Sequence, residues 1–496
     1  MHVMLPPLQS SVGILEGTRI PVTRIEVCFS SCMYSTCFVF PLPNSFGKSH
    51  LSEDIRRELY QKTGAPIHSA YALPQLLDIY DNNNLVVSSI HKWQTIASIC
   101  LSRWTGATFL PISFSEASWT GLLNVRSCQY EPALIDLLPP DCQQALPLLS
   151  DFYSATNNLH ILESKKANEK AANTYWERWP ELRGPACQLF LGLGDGACAN
   201  IGSKCSTASR IAVTIGTSAA ARVCLPRPIS CSDATTSGMN TTAIHIPPGL
   251  FCYRIDRNHV LLGGALTDGG SVVEWTCDLL NLSASPESFQ ICMDKVQMLL
   301  ENDYTSSSQS SSLLSDENEE SKPHSSGLTF LPFLSGERST GYRDGATGAI
   351  LGFTRETTPA HLLKSSLEGV TLRLNAVVKL IQMAMYEMHK EFEPRDSPCI
   401  VASGKALEVN ALWRQMLSDC SALKMVMDQD TEEGTSRGVA IAVGAALGAG
   451  SLGAHFVDEP LHVSHMSEPN EAAKIYWKQA TDSQEVFLES VSPLFS

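Results

Sequence analysis

The stretch Gln188-Leu-Phe-Leu-Gly192-Leu-Gly-Asp195-Gly-Ala-Cys-Ala-Asn-Ile-Gly202, followed closely by Thr214-Ile-Gly216-Thr217-Ser218, decides how the chain folds. Gln188 to Gly192 is a short apolar run ending in glycine, which predicts a strand; the small residues after Asp195 predict a helix. Asp195 then stands where a strand hands over to a helix. It is either a helix N-cap or, at the carboxyl end of a strand where open α/β sheets place ligands, a base able to accept a proton from a substrate hydroxyl. Downstream, Ile211 to Ile215 predicts a second strand, and Gly216-Thr217-Ser218 closes it. A glycine and two hydroxyl residues at that point can wrap N–H and O–H donors around a phosphate, although such a turn is also common without a ligand.

The same scheme recurs outward from this stretch. Val260-Leu-Leu ends at Gly263-Gly264, ahead of a helix containing Val272, Val273 and Trp275. Ile400-Val-Ala402 ends at Ser403-Gly404-Lys405, ahead of a helical segment from Asn410 to Met416. Strands alternating with helices mark an α/β architecture. Phe251–Ile255 and His259–Leu262, flanking Asp256-Arg-Asn258, predict a hairpin, so the sheet is mixed. A long helix opens at Thr358-Pro359, with Leu363, Leu367, Val370, Leu374, Val377, Ile381 and Met385 forming one core face. Ser436 to about Gly448, almost wholly Ala, Gly and Val, predicts a helix that packs closely on its neighbour. Three glycine-marked strand ends and one acidic one point to a nucleotide held between two lobes.

Composition sets the outer limits. A chain of 496 residues exceeds a single core of ~250–300, which implies two domains. A net charge of −15 argues against a surface built to grip a nucleic-acid backbone. No apolar run approaches the ~20 residues of a membrane span, and the first residues do not form a secretory signal, so the expectation is a soluble, cytoplasmic protein. The 16 cysteines are scattered without a CxxC pair, which predicts reduced core residues and no metal ligands. Ten serines within Ser306–Ser326 predict a disordered insertion inside a domain, bounded at 304–327.

These segments together resemble the FGGY carbohydrate kinase family, of gluconokinase and xylulokinase type. Gly348-Ala-Ile-Leu-Gly352 followed by His361-Leu-Leu-Lys-Ser-Ser-Leu-Glu368 is similar to the family's carboxyl-terminal signature. Leu328-Thr-Phe-Leu-Pro-Phe-Leu-Ser-Gly-Glu-Arg338-Ser matches the block before it, and Thr63-Gly64, His68, Tyr71 and Ser115-Glu-Ala-Ser-Trp-Thr-Gly-Leu122 match the later part of the amino-terminal domain. The resemblance implies a two-domain actin-like ATPase, ribonuclease-H-like fold with a central cleft, in which ATP with Mg2+ phosphorylates a sugar or sugar-acid hydroxyl, gluconate or xylulose being favoured. It makes Asp195 the general base and, with Gly196, part of the substrate site. It assigns Thr214, Gly216, Thr217 and Ser218 to a phosphate loop, Gly263 and Gly264 to nucleotide contacts, and Gly404 and Lys405 to the adenosine motif. The motif's usual second glycine is Lys405 here and its usual serine is Asn410. Partners are the sugar and ATP, with no nucleic acid or membrane, and a homodimer is possible.

The implied organisation is an atypical segment 1–50, a truncated amino-terminal domain 51–208, a carboxyl-terminal domain 209–455 and an extension 456–496. The family opens with a strand and an Asp-x-Gly-Thr phosphate loop. This chain offers only Glu16-Gly17-Thr18. That departure leaves a second reading beside the kinase: a homologue that binds nucleotide or sugar without turnover.

Overall fold

A computed structural model describes residues 25–28, 51–69, 71–82, 90–105, 110–153, 189–226, 245–313, 327–388, 398–429, 434–449 and 460–495. Glu16-Gly17-Thr18 lies outside them. The chain divides into two units, Met1–Leu193 and Gly194–Ser496.

In the first unit, strand β1 (Ile25–Cys28) runs parallel to β2 (Ile90–Gln94), and β3 (Ile112–Ser113) runs parallel to β6 (Leu149–Ser150); β4 (Leu123–Asn124) and β5 (Gln129–Tyr130) form a small hairpin. Helices α1 (Glu53–Thr63), α2 (Ala72–Asn82), α3 (Ile96–Thr105) and α4 (Phe114–Trp119) pack around them. Ser52 caps α1 by accepting from the Ile55 amide, and Gly64 ends it with φ +67°, a left-handed value that glycine adopts without steric cost. Leu59, Leu73, Leu76, Trp93, Leu122 and Leu138 form one buried cluster there.

The second unit contains helix α5 (Asp195–Gly202), strands β7 (Arg210–Ile215), β8 (Ala219–Pro226), β9 (Phe251–Arg254) and β10 (His259–Leu266), helices α6 (Gly270–Leu279) and α7 (Pro286–Leu313), strands β11 (Thr329–Leu331) and β12 (Ala349–Leu351), helix α8 (Pro359–Met388), strand β13 (Cys399–Ser403), helices α9 (Lys405–Val409) and α10 (Ala411–Ser421), strand β14 (Met425–Asp428), helix α11 (Gly434–Ala449), strand β15 (Val463–Ser467) and helix α12 (Lys474–Val491). Its sheet has the order β15-β14-β13-β7-β8-β10-β9. β14, β13 and β7 are parallel and the remaining pairs antiparallel, so the sheet is mixed, and the expected β9–β10 hairpin is present. Helix α8 presents its expected face to the sheet: Leu363, Leu367, Val370, Leu374, Val377 and Ile381 are each 0% exposed.

Five expectations are corrected. Of the strand expected over Gln188–Gly192, Gln188 lies outside the described residues, Leu189 forms a single β-bridge and the Leu191 amide donates to the Phe152 carbonyl at 3.4 Å, without a continuous strand; the Gly192 carbonyl accepts from the Ser113 hydroxyl at 2.5 Å. The strand expected to close at Gly263-Gly264 continues to Leu266, because Gly263 and Gly264 pair with Arg222 and Ala221 in the ladder. The serine-rich segment is helical up to Leu313, as α7 carries on from its buried Val296 and Leu300; residues 314–326 lie outside the described set. Residues 460–495, expected as an extension, supply edge strand β15 and helix α12, whose Tyr476, Trp477 and Leu488 are buried. The division between units also falls ahead of Asp195 rather than after residue 208, since α5 packs against α11.

That packing is made by glycines. A Cβ on Gly438 would stand 1.8 Å from the Cys198 carbonyl oxygen, and one on Gly202 would stand 1.7 Å from that of Gly434. Backbone meets backbone, so nothing can rotate aside. Gly438→Ala should cost about 3 kcal/mol, the upper end for overpacking. Gly444→Ala on the same helix meets nothing within 4 Å and should instead gain about 0.5–1 kcal/mol from helix propensity. Urea unfolding of the two variants checks the contrast; equal effects would show that the helices do not touch at Gly438.

Candidate active site

Asp195 is the first residue of α5, and the N-cap position belongs to Gly194, which makes no side-chain cap bond. The capping reading is therefore wrong. The Asp195 side chain is exposed and makes no hydrogen bond or ion pair among the described residues. A carboxylate in the first turn is favoured by the helix dipole, and an unpaired one keeps its lone pairs for a ligand. Behind it, burial and then the charge of Asp195 push the Cys198 thiol up to about 12, so that cysteine stays a neutral packing residue. A Cβ on Gly196 would lie 3.4 Å from Arg222 Nε, an ordinary contact distance, so packing alone does not require a glycine there.

The Gly216-Thr217-Ser218 segment is the three-residue turn between β7 and β8, with the Gly216 amide donating to the Ser218 carbonyl at 2.9 Å. Its carbonyls face the start of α6. Gly270 N–H donates to Gly216 O at 2.7 Å, and Gly269 and Ser271 N–H donate to Thr217 O at 2.8 and 3.2 Å. The first amides of α6 are thus occupied in holding the turn. The amides and hydroxyls of Thr217 and Ser218, both exposed, donate to no acceptor among the described residues. Four free donors on a clamped turn suit a phosphate.

Gly404 belongs to the same cluster. It has φ +99°, and a Cβ there would stand 2.3 Å from the Ile215 carbonyl oxygen, so the end of β13 presses directly on the end of β7. The hydroxyls of Thr214 and Ser403 bond across these strands at 2.8 Å. The Lys405 side chain is 81% exposed, 3.5 Å from Glu408, as a solvated surface lysine would be. Asn410 Oδ1 accepts from the Trp413 amide at 2.9 Å and so serves as the N-cap of α10.

Gly263 and Gly264 do not join this group. Both are buried in mid-strand, and a Cβ would meet the Ala221 carbonyl oxygen at 2.5 Å and Val377 at 2.7 Å respectively. Packing accounts for them. The residues that sequence reasoning overlooked are Asp268, Gly269 and Gly270. Asp268 is buried, accepts from the Ser335 amide at 2.7 Å and from the Ser271 and Ser335 hydroxyls at 3.2 Å, and so sets the start of α6 against the turn. A Gly-Gly pair at the N-cap and first position of the helix was the available signal.

The family model "FGGY family of carbohydrate kinases, N-terminal domain" matches residues 48–174, and its C-terminal counterpart matches residues 211–447. The chain belongs to the FGGY family of carbohydrate kinases. It is 24% identical over 432 residues to the gluconokinase of Bacillus subtilis (strain 168), covering 83% of this chain and 72% of that one. Solved structures of a xylulose kinase and of a gluconate kinase, both from Lactobacillus acidophilus, each superpose with a TM-score of 0.63 at 21% identity. They cover 88% of this chain, and 76% and 75% of theirs. This FGGY chain is therefore a phosphotransferase acting on a carbohydrate hydroxyl with ATP as donor, in the two-domain actin-like fold. Among the described residues, no helix is long and apolar enough to cross a membrane.

No group of three or more His, Cys, Asp or Glu side chains among the described residues is arranged to hold a metal ion. A magnesium ion carried by ATP does not need one, since it keeps phosphate and water ligands and takes only one or two carboxylates from the protein. The exposed Thr217 and Ser218 hydroxyls are oxygen donors of the kind such an ion takes.

Proposed function

We propose that this FGGY chain transfers the γ-phosphoryl group of ATP to a hydroxyl of a sugar acid or ketose, with gluconate the first candidate and xylulose the second. The observation that carries the reading is the unpaired, exposed Asp195 carboxylate at the start of α5. The choice of substrate rests on the gluconokinase and xylulose kinase relatives.

In the proposed reaction the acceptor hydroxyl gives its proton to Asp195 as its oxygen bonds to the γ-phosphorus. The bond from that phosphorus to the β–γ bridging oxygen breaks, and ADP leaves with the electron pair. The Thr217 and Ser218 donors hold the phosphates in line, which matters because phosphoryl transfer depends mostly on positioning and charge stabilisation. Mg2+ accompanying ATP would offset the phosphate charge, and the Thr217 and Ser218 hydroxyls would be protein oxygens available to hold it. Gly404 lets the adenosine-side segment lie against the β7 end without a side chain between them.

The competing reading is a homologue that binds nucleotide or sugar without turnover. Measuring ADP release with gluconate, xylulose and glycerol separates the two. Sugar-dependent ADP release that Asp195→Asn abolishes supports the kinase. ATP binding without any turnover would overturn it. Thr217→Ala should weaken ATP about 10-fold, the lower end for one hydrogen bond to a charged group. Calorimetric titration with a non-hydrolysable ATP analogue reads this directly, and unchanged affinity would remove Thr217 from the phosphate site.

A further inference from the structure

Strand β8 is apolar but for one residue. Residues 219–221 and 223–225 are buried, and Arg222 between them is half-buried and carries the strand's only charge. A guanidinium drawn partly out of water needs acceptors in return. Two glycines border its path. Gly263 is its partner in the β10 ladder, where an added Cβ would stand 3.0 Å from Arg222 Cγ. The side chain then reaches α5, since a Cβ on Gly196 would lie 3.4 Å from Arg222 Nε and 3.8 Å from its Cδ. Asn200, one turn further along α5, donates to the Arg222 carbonyl at 3.3 Å, so the helix crosses the strand at this residue.

Gly196 follows Asp195 directly, and all of these residues belong to the second unit. Asp195 makes no ion pair with Arg222, so the cation does not occupy the proposed base. The Thr217 and Ser218 donors are further off. Ser218 and Arg222 are four positions apart, about 13 Å along an extended strand. The geometry thus sets a guanidinium beside the residue that follows the base, with its own backbone well removed from the turn proposed for the phosphates.

We infer that Arg222 selects a sugar acid as substrate: its guanidinium holds the substrate carboxylate while a hydroxyl elsewhere on the same molecule meets Asp195. The inference deepens the proposed function and rests on Asp195 being the base. A planar guanidinium presents paired N–H donors that match the two carboxylate oxygens, and its five donors allow it to hold a protein acceptor at the same time. A neutral ketose has no such group, so this one contact discriminates gluconate from xylulose. Lysine, a point charge without the fork, would do so less well.

The probe is gluconate beside gluconamide, the uncharged amide of the same acid. The parent should show a kcat/KM about 10- to 100-fold higher for gluconate, the range for hydrogen bonds to a charged group. Arg222→Met keeps the apolar stem and should abolish that preference by raising the KM for gluconate, while kcat/KM for gluconamide and the affinity for a non-hydrolysable ATP analogue stay within about two-fold. A loss shared equally by both substrates would reduce Arg222 to a structural residue. Weakened binding of the ATP analogue would make it a phosphate ligand, and a variant that keeps the preference would clear it of any part in selection. If Arg222→Met fails to fold, Arg222→Lys reads the same ratio: a drop of at least about 3-fold supports the inference, and the parental ratio overturns it. A parent that phosphorylates xylulose but does not favour gluconate over gluconamide overturns the inference and leaves the kinase standing. If the parent phosphorylates no sugar, the proposed function falls and calorimetric binding decides. Gluconate affinity at least about 10-fold weaker in Arg222→Met then supports carboxylate capture, and unchanged or absent gluconate binding refutes it.

Discussion

Asp195→Asn should lower kcat by about 10²–10⁴ while leaving ATP affinity within about two-fold, the range for losing a positioned general base. The asymmetry follows from the site. Asp195 makes no protein hydrogen bond among the described residues, so the amide leaves no partner stranded and the fold is untouched. Asparagine keeps the shape but cannot take the hydroxyl proton at neutral pH. Pre-steady-state phosphorylation with the best sugar of the panel, beside calorimetric ATP binding, measures both sides. A variant with parental kcat would remove Asp195 as the base. A variant that loses ATP binding in proportion would make it a nucleotide ligand instead.

Glu337→Ala should cost about 3–5 kcal/mol, the usual penalty for stranding the partner of a buried ion pair. Glu337 is 3% exposed and accepts from Arg373 Nη2 at 3.0 Å, from Arg343 Nη1 at 2.6 Å and from the Gly341 amide at 3.1 Å. Arg373, on α8, is equally buried; its Nη2 also donates to the Thr340 hydroxyl at 2.7 Å, and its guanidinium carbon lies 5.7 Å from the centre of the Phe333 ring. Desolvation lowers the Arg373 pKa and the Glu337 charge opposes that shift, so removing Glu337 leaves a guanidinium in apolar surroundings. The double variant Glu337→Ala, Arg373→Met should recover a large part of the loss, because it takes out the stranded charge as well. Chemical denaturation of the single and double variants tests this. A single-variant loss below about 1 kcal/mol would show that solvent reaches the pair, as at surface ion pairs.

The loop around Glu337 shows what a resemblance can and cannot supply. Gly336-Glu-Arg-Ser339 was legible as part of a family block. Its work is tertiary: Ser339 N–H donates to Ala265 O and Ser339 Oγ accepts from Ala265 N, both at 3.0 Å, while Ser335 binds Asp268. The loop thereby supports the end of β10 and the start of α6. Nothing in the spacing of residues separated by some 70 positions reveals such a bond.

Gly263 and Gly264 teach the complementary lesson. A glycine pair after an apolar run reads as a turn because glycine is the usual means of leaving a strand. In the sheet the pair stays in the ladder, and its absent side chains admit the Ala221 backbone and Val377. Glycine marks either an unusual φ or a close approach, and only the neighbours say which. Gly404 is the first kind as well as the second; Gly438 is close approach alone.

By itself the sequence determined the family, the alternation of strands and helices and the core face of α8. These depend on local periodicity and on motifs whose residues are neighbours in the chain. The tertiary structure alone decided which glycines lie in or against the turn between β7 and β8 and which sit in mid-strand, that Asp195 stands free rather than capping its helix, and that Asp268 holds the start of α6 against that turn. Each of these is a question of which distant group occupies the last few ångströms around a residue, and one-dimensional spacing carries no record of that distance.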